Sequence, residues 1–207
     1  MTRTLPVTLT LLLACVGVFL YQMSLSGDDY VRFLVRYALI PRLLLGEPID
    51  TAGYSLLPAP LTLVTSMFVH SDTAHLAVNM IVLISFGAIV ERALGRWRLA
   101  AMYLIAGIAG GLLHAAIEPN STIPVVGASG ALSGVFATAF LLEPKGRIFL
   151  LFIPMPYWLG MIVFVIAHAV FVATGWVPEI AWLAHVGGLL GGFVAAALLA
   201  PKLLRPT

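Results

Sequence analysis

Four polar side chains occur within or at the ends of long apolar stretches, and their types suit attack on a carbonyl group. Ser129 becomes a nucleophile when a histidine such as His185 takes its proton and later returns it. His75 and Asn79 are four residues apart, so they lie on one helix face, about one turn apart. Together with the Ser129 amide they could donate hydrogen bonds to a developing oxyanion. A structural role is the alternative for the His75 and Asn79 pair, because such side chains often hydrogen-bond a neighbouring membrane helix.

The composition explains why these four residues stand out. Of 207 residues, 61% are apolar and 10% are charged, and the mean hydropathy is +1.05. Soluble domains carry about 25% charged residues, so a water-soluble globule is excluded. The net charge of +2, without a basic run, argues against a nucleic-acid partner. The expected environment is a lipid bilayer, in which strongly polar side chains mark functional sites by default.

Six apolar stretches approach the roughly 20 residues that a membrane-spanning helix needs. We therefore predict an all-α integral membrane protein forming a single membrane domain over residues 1–207. The connection 24–72 is predicted to be an outer loop with a partly helical segment in the membrane interface. A secretory signal is an alternative for the first stretch, but its removal would leave five spans and disturb the charge alternation. The predicted spans are 5–23, 73–90, 99–117, 126–142, 156–174 and 180–200.

The charged residues between the spans predict the orientation. With the N-terminus in the cytoplasm, eight of the 11 basic residues lie inside, and seven of the nine acidic residues lie outside. We therefore expect a multi-pass protein of the plasma (inner) membrane with both termini cytoplasmic; an organellar membrane is the alternative. The inner basic residues are Arg3, Arg92, Arg96, Arg98, Lys145, Arg147, Lys202 and Arg205.

The fourth span is predicted to be shortened. Pro124 and Gly127 favour irregular backbone, so regular helix is expected to begin near Ser129, below the outer surface. About 14 residues then remain, roughly 21 Å of helix, which is less than the bilayer thickness. Free amides at this helix start favour negative charge. The topology also places His75, Asn79 and His185 within about two turns of the outer surface, so the candidate site is expected to open outward.

Glycine-rich faces on spans four and six predict that the helices carrying Ser129 and His185 pack closely together. Gly130 and Gly134 form a small-xxx-small step on span four, and similar steps occur on span six. Such faces let membrane helices approach backbone to backbone. The glycines on span six are Gly187, Gly188, Gly191 and Gly192.

Three segments of the sequence resemble the rhomboid family of intramembrane serine proteases. They are HSDTAHLAVN (70–79), GASG (127–130) and AHVGG (184–188), within a resemblance covering residues 61–200. The resemblance implies a six-helix core, a catalytic dyad of Ser129 and His185, and an oxyanion site with His75 and Asn79. It also implies that the substrate is a transmembrane segment of another protein, cut near the outer leaflet after local unwinding. No cofactor or metal is implied.

The sequence departs from this family at two places. Many members carry a Trp-Arg pair shortly before span two, where this chain has Ala-Pro-Leu-Thr at 59–62. Many members also place an aromatic residue four positions after the serine, where it stacks on the catalytic histidine. This chain has Ser133 there, so support for His185 must come from Trp182 or from another helix.

The remaining histidines are predicted to have structural roles. His70 is expected at the surface, bonded to loop backbone, and His114 and His168 are expected to be interfacial or interhelical hydrogen-bonding residues. No His-Glu-x-x-His or comparable spacing occurs, so no metal site is predicted. The single Cys15 is expected to be a small apolar packing residue.

Two other functions compete with proteolysis. One is a catalytically inactive rhomboid-like protein that binds transmembrane helices. The other is a small-solute carrier, although the two halves of the chain lack the inverted repeat of many carriers. The expected partners are membrane-protein substrates and the lipid bilayer, and the sequence does not indicate an oligomeric state.

Overall fold

A computed structural model describes residues 5–51, 53–150, 153–175 and 180–201. This part of the chain is mostly helical, as the sequence predicts. The helices are α1 (Pro6–Met23), α2 (Gly27–Tyr37), α3 (Pro41–Leu44), α4 (Ala59–Thr65), α5 (Thr73–Val82), α6 (Ala88–Leu94), α7 (Arg96–Ile117), α8 (Ser129–Leu142), α9 (Tyr157–Thr174) and α10 (Trp182–Leu199). A 3₁₀ turn, Ser66–Phe68, follows α4, and a π-helical turn, Leu83–Gly87, joins α5 to α6.

Within the described ranges, five helical segments are long and apolar enough to cross a membrane, and they establish a multi-pass membrane protein. They are α1, the continuous segment Thr73–Leu94, α7, α9 and α10. These segments overlap predicted spans one, two, three, five and six. Helix α8 is also apolar but has only 14 residues, and it begins at Ser129.

Local sequence accounts for several helix ends. Pro6 occupies the first turn of α1, where its missing N–H costs nothing. Asp72 caps α5 by accepting a hydrogen bond from the backbone N–H of His75, 2.9 Å away. Gly95 has φ +90°, which permits the sharp reversal from α6 into α7.

The centre of the bundle is formed by α7, α8 and α10. Residues 131–139 of α8 are all buried. On α7, the side chains of Met102 and Tyr103 are almost completely inaccessible. Small residues on α10 complete this core, and many side chains of α9 remain exposed on the outside of the bundle. Helix α8 is therefore the central element, and its first residue is the candidate nucleophile.

Both ends of α1 are tied to the rest of the bundle. The buried carboxylate of Glu91 on α6 accepts hydrogen bonds from the backbone N–H groups of Val7 and Thr8 and from the Thr8 hydroxyl, at 2.7–2.9 Å. At the other end, Gln22 Nε2 donates to the carbonyl oxygen of His70, 2.6 Å away. The first helix is thus packed as a member of the bundle.

The connection between α1 and α5 packs against the residues that precede α8. Leu39 and Val125 exchange backbone hydrogen bonds of 3.1 and 2.7 Å. Thr65 in α4 also donates its hydroxyl hydrogen to the carbonyl oxygen of Tyr37 in α2. This connection contains short helices, and it packs against the segment that leads into the candidate site.

One element was not predicted from the sequence. Strands β1 (Arg147–Leu150) and β2 (Ile153–Pro156) pair antiparallel, with Arg147 opposite Pro156 and Leu150 opposite Ile153. This hairpin leaves the all-α class predicted from the sequence unchanged, since the rest of the described chain is mostly helical. It is a local addition between α8 and α9, because consecutive strands can pair across a very short connection.

Candidate active site

The hydroxyl of Ser129 and the ring of His185 lie in direct contact. Ser129 Oγ is 2.7 Å from His185 Nε2, although the two residues are 56 positions apart in sequence. Ser129 is the first residue of α8, and His185 lies in the first turn of α10. Both residues are only partly buried. This geometry allows the hydroxyl to pass its proton to the imidazole.

The glycines of α8 and α10 produce this contact. A side chain on Gly188 would collide with the backbone of Gly130, and one on Gly192 would collide with the backbone of Gly134. At Gly130, a Cβ would come within 3.2 Å of the carbonyl oxygen of Ala184. Two helices that lack side chains at the crossing can approach backbone to backbone. The structure thus brings together the glycine faces expected from the sequence.

His168 on α9 contacts the other side of His185. Its Nε2 lies 2.9 Å from His185 Nδ1, and its Nδ1 lies 2.7 Å from the carbonyl oxygen of Phe164. The ring stacks on Phe164, with centroids 3.9 Å apart and an interplanar angle of 23°. Only 7% of His168 is exposed. A row of hydrogen bonds therefore runs from Ser129 through His185 and His168 to the backbone of α9.

The aromatic support that the family pattern places at position 133 is supplied differently here. Ser133 donates its hydroxyl hydrogen to the carbonyl oxygen of Ser129, 2.8 Å away, within α8. Trp182 meets the edge of His185, with ring centroids 5.7 Å apart. The sequence predicted support from Trp182 or another helix, and the structure shows contacts from both Trp182 and α9.

His75 borders the space beside the serine. A Cβ built on Gly127 would lie 2.6 Å from His75 Nε2 and 3.7 Å from Ser129 Oγ. Gly127 has φ +113°, a conformation that side-chain-bearing residues rarely adopt. The glycine thus keeps open a small space between the two side chains, next to the start of α8.

The hydroxyl of Ser71 holds the other nitrogen of the His75 ring. Ser71 Oγ lies 3.0 Å from His75 Nδ1 and 2.8 Å from Asp72 Oδ2. The hydrogen bonds from the His75 amide and the Ser71 hydroxyl hold the pKa of the exposed Asp72 carboxyl below its ordinary value. Asp72 is therefore ionised at neutral pH, at the start of the helix that carries His75.

Asn79 lies one turn further along α5 and is 4% exposed. Its Nδ2 donates to the carbonyl oxygen of His75, 2.8 Å away. Among the hydrogen bonds of the described residues, Asn79 pairs with His75 and not with Ser129. A contribution of the Asn79 amide to an oxyanion site therefore requires rotation of the side chain away from its own helix.

The prediction that His70 lies at the surface is wrong, because its side chain is completely buried. Its ring does bond backbone: Nδ1 faces the carbonyl oxygen of Phe68 at 3.3 Å, and the N–H of Ala128 donates to Nε2 at 3.5 Å. Burial, with a smaller effect of nearby His75, lowers the pKa of His70 to about 4. The ring is thus neutral at pH 7 and can accept the hydrogen bond at the start of α8.

Comparison with known proteins places this arrangement in a family. A family model described as the Rhomboid domain matches residues 59–202, which is more than half of the chain. The chain belongs to the rhomboid family. The candidate residues on α5, α8 and α10 all lie within the matched range.

Three relatives illustrate the similarity. The rhomboid protease GluP of Bacillus subtilis is 37% identical over 138 residues, covering 66% of this chain and 25% of the relative. RHOMBOID-like protein 6, mitochondrial, of Arabidopsis thaliana is 35% identical over 137 residues, covering 66% and 43%. Rhomboid protein 1, mitochondrial, of Saccharomyces cerevisiae is 30% identical over 167 residues, covering 78% and 44%. This rhomboid chain therefore spans less than half the length of these relatives.

Sequence reasoning did not assign His168 to the site of this rhomboid protein. A histidine within a membrane span was one signal, and the absence of an aromatic residue at position 133 was another. Joining them required the relative placement of α9 and α10, which hydrophobic patterning does not specify.

Proposed function

We propose that this chain is an intramembrane serine endopeptidase that hydrolyses a peptide bond in or near a transmembrane segment of membrane-protein substrates. The observation that carries the proposal is the 2.7 Å separation of Ser129 Oγ and His185 Nε2 inside an apolar helical bundle. A nucleophile and a base at this distance are the arrangement that covalent catalysis needs. Membership of a family that includes named proteases supports the same reaction class.

The proposed reaction begins when His185 Nε2 accepts the hydroxyl proton of Ser129. Ser129 Oγ then forms a bond to the substrate carbonyl carbon, and the carbonyl oxygen becomes an oxyanion. His185 returns the proton to the peptide nitrogen as the C–N bond breaks. Water then attacks the acyl-enzyme with the same base, which releases a new carboxyl terminus and restores the serine.

The proposed oxyanion site lies in the space beside Gly127. The Ser129 amide belongs to the first turn of α8, where N–H groups lack helical acceptors. His75 Nε2 borders the same space and carries a hydrogen to donate once the Ser71 hydroxyl turns from Asp72 toward His75 Nδ1. The Asn79 amide reaches the space after rotation from its helix. Hydrogen bonds donated to the oxyanion stabilise the charge that develops in the transition state, and removal of one donor costs on the order of 10²–10³-fold in kcat.

The substrate must present an unwound segment to this site. In an intact transmembrane helix every internal carbonyl group is hydrogen-bonded within the helix. Attack at a carbonyl carbon therefore requires local loss of helix, and hydrolysis requires water. The partial exposure of Ser129 and His185 is compatible with both requirements.

The topology expected from the sequence forms part of this proposal. Helix α8 is taken as the shortened fourth of six spans and begins below the outer surface, and both chain termini are placed in the cytoplasm. The site then opens toward the outer side of a plasma (inner) membrane. The charge distribution between the helices supports this orientation.

Cleavage of a single-span model substrate in liposomes by the purified protein tests the proposal. Ser129→Ala and His185→Ala are expected to abolish cleavage while the protein remains folded. Ser133→Ala is the matched control, because it removes a hydroxyl that donates within the same helix, and it is expected to keep activity. Full cleavage by Ser129→Ala would refute the proposal, and absence of cleavage by folded wild type for every substrate would favour a protein that only binds transmembrane helices.

A further inference from the structure

His168 fixes the proton positions in the row of hydrogen bonds beyond the Ser129–His185 pair. Its Nδ1 lies 2.7 Å from the carbonyl oxygen of Phe164, and a carbonyl oxygen can only accept a hydrogen bond. Nδ1 of His168 therefore carries a hydrogen. In the neutral ring, Nε2 of His168 then has a free lone pair and is an acceptor.

This assignment determines the tautomer of His185. Its Nδ1 lies 2.9 Å from the acceptor Nε2 of His168, so Nδ1 of His185 must carry the hydrogen. Nε2 of neutral His185 is then unprotonated, and this is the nitrogen that lies 2.7 Å from Ser129 Oγ. A general base needs a free lone pair on the atom that faces the nucleophile.

The surroundings of His168 hold its ring in this orientation. Phe164 stacks on one face, and Trp182 meets the ring edge with centroids 5.2 Å apart. The side chain is 7% exposed and bonds its own helix through the Phe164 carbonyl. A ring held on two sides and at one nitrogen has little freedom to present a different atom to His185.

We propose that His168 is a positioning residue that holds His185 in the tautomer able to accept the Ser129 proton. This inference rests on the proposed function. In the resting state His168 Nε2 accepts the Nδ1 hydrogen of His185. After His185 takes the serine proton, its Nδ1–H continues to donate to the same neutral acceptor, so the imidazolium keeps its orientation. His168 thereby takes the place that a carboxylate occupies in a Ser-His-Asp triad, without adding a charge to the apolar bundle.

Two substitutions separate hydrogen bonding from packing. His168→Leu removes the acceptor and is expected to lower kcat on the order of 10²-fold with little change in KM, because only the orientation of the base is lost. His168→Gln places a side-chain oxygen near the former Nε2 position and is expected to retain kcat within about fivefold. Thr174→Val is the control, because it removes an exposed hydroxyl that donates within the same helix, α9, and it is expected to leave kcat unchanged.

Ring ¹⁵N NMR of the protein labelled at histidine shows which nitrogen of His185 is protonated. This property would not change if His168 acted only through packing. The proposal predicts that wild-type His185 is protonated on Nδ1 and that His168→Leu shifts it toward protonation on Nε2. This measurement does not need a cleavable substrate. If His168→Leu does not fold, the proposal is tested by kcat of the His168→Gln protein and by the protonated nitrogen of His185 in the wild-type spectrum.

Three results would overturn the assignment. They are wild-type His185 protonated on Nε2, a folded His168→Leu protein with wild-type kcat, or a His168→Gln protein as impaired as the Leu variant. Failure of the proposed function is distinguishable, because it would appear as cleavage that survives Ser129→Ala.

Discussion

A side chain on Gly188 would collide with the carbonyl oxygen of Gly130, since α8 and α10 touch through their backbones at this point. Gly134 and Gly192 repeat the contact further along the same two helices. The separation of the candidate nucleophile and base is therefore set by residues that have no side chains. A side chain added to a glycine at this crossing must therefore increase the distance between α8 and α10.

We expect Gly188→Ala to reduce cleavage on the order of 10²-fold, because a displacement of about 1 Å between reacting groups has an effect of that size. Gly17→Ala is the matched control, since a Cβ on Gly17 of α1 would meet nothing within 4 Å. The control is expected to keep activity and to gain about 0.5–1 kcal/mol of helix stability. Equal activity of both variants would show that the close crossing is not needed.

A second prediction concerns His75 and Asn79, the side chains proposed to donate hydrogen bonds to the oxyanion beside Gly127. His75→Ala and Asn79→Ala are each expected to lower kcat on the order of 10²–10³-fold while KM changes little, because the oxyanion exists only during the reaction. Steady-state kinetics on the model substrate measure both constants. Ser85→Ala is the control, because its hydroxyl donates to the carbonyl oxygen of Ile81 on the same span. Unchanged kcat in the Asn79 variant would show that Asn79 does not donate to the oxyanion and only hydrogen-bonds within its own helix.

Protonation of His70 predicts a pH dependence of stability. Because burial lowers its pKa to about 4 from 6.5, the folded state binds fewer protons than the unfolded state between these values. Its contribution to stability is therefore complete above pH 6.5 and is lost as the pH falls toward 4. The thermal midpoint should fall less between about pH 7 and pH 5 in His70→Gln than in wild type. A parallel fall in both proteins would contradict the burial of a neutral His70.

The carboxylate of Glu91 predicts how strongly α1 is held. Glu91→Ala leaves the N–H groups of Val7 and Thr8 and the Thr8 hydroxyl without their acceptor, so the free energy of unfolding should drop by about 1–3 kcal/mol. Thr8→Val removes only the hydroxyl bond and should cost about 1 kcal/mol. Denaturant titration in detergent micelles measures both changes. Glu118→Ala, at an exposed position, serves as control, and a loss there as large as in Glu91→Ala would remove the special role of this contact.

Much of the candidate site could be predicted from the sequence because a membrane makes polar residues and glycines conspicuous. Ser129, His185, His75 and Asn79 stand out in apolar spans, and glycines spaced by four residues indicate close helix crossings. The family resemblance added the reaction class. These signals need only local sequence and the order of the spans.

The details that escaped prediction depend on tertiary placement. His70 is buried because its segment packs against Ala128 at the start of α8. A polar residue just before a predicted span gives no indication of such a long-range contact. The β1–β2 hairpin lies in a short connection where an apolar strand resembles the start of a helix. The Asn79 amide points along its own helix, which spacing alone cannot show.

Labelling with a fluorophosphonate probe, followed by mass-spectrometric mapping of the modified residue, tests the central claim most directly. The probe loses fluoride to an activated serine hydroxyl and leaves a stable phosphonyl ester. We predict modification of Ser129 in wild type and in Ser133→Ala, and none in His185→Ala. Modification of another serine, or equal labelling of Ser129 without His185, would contradict the account.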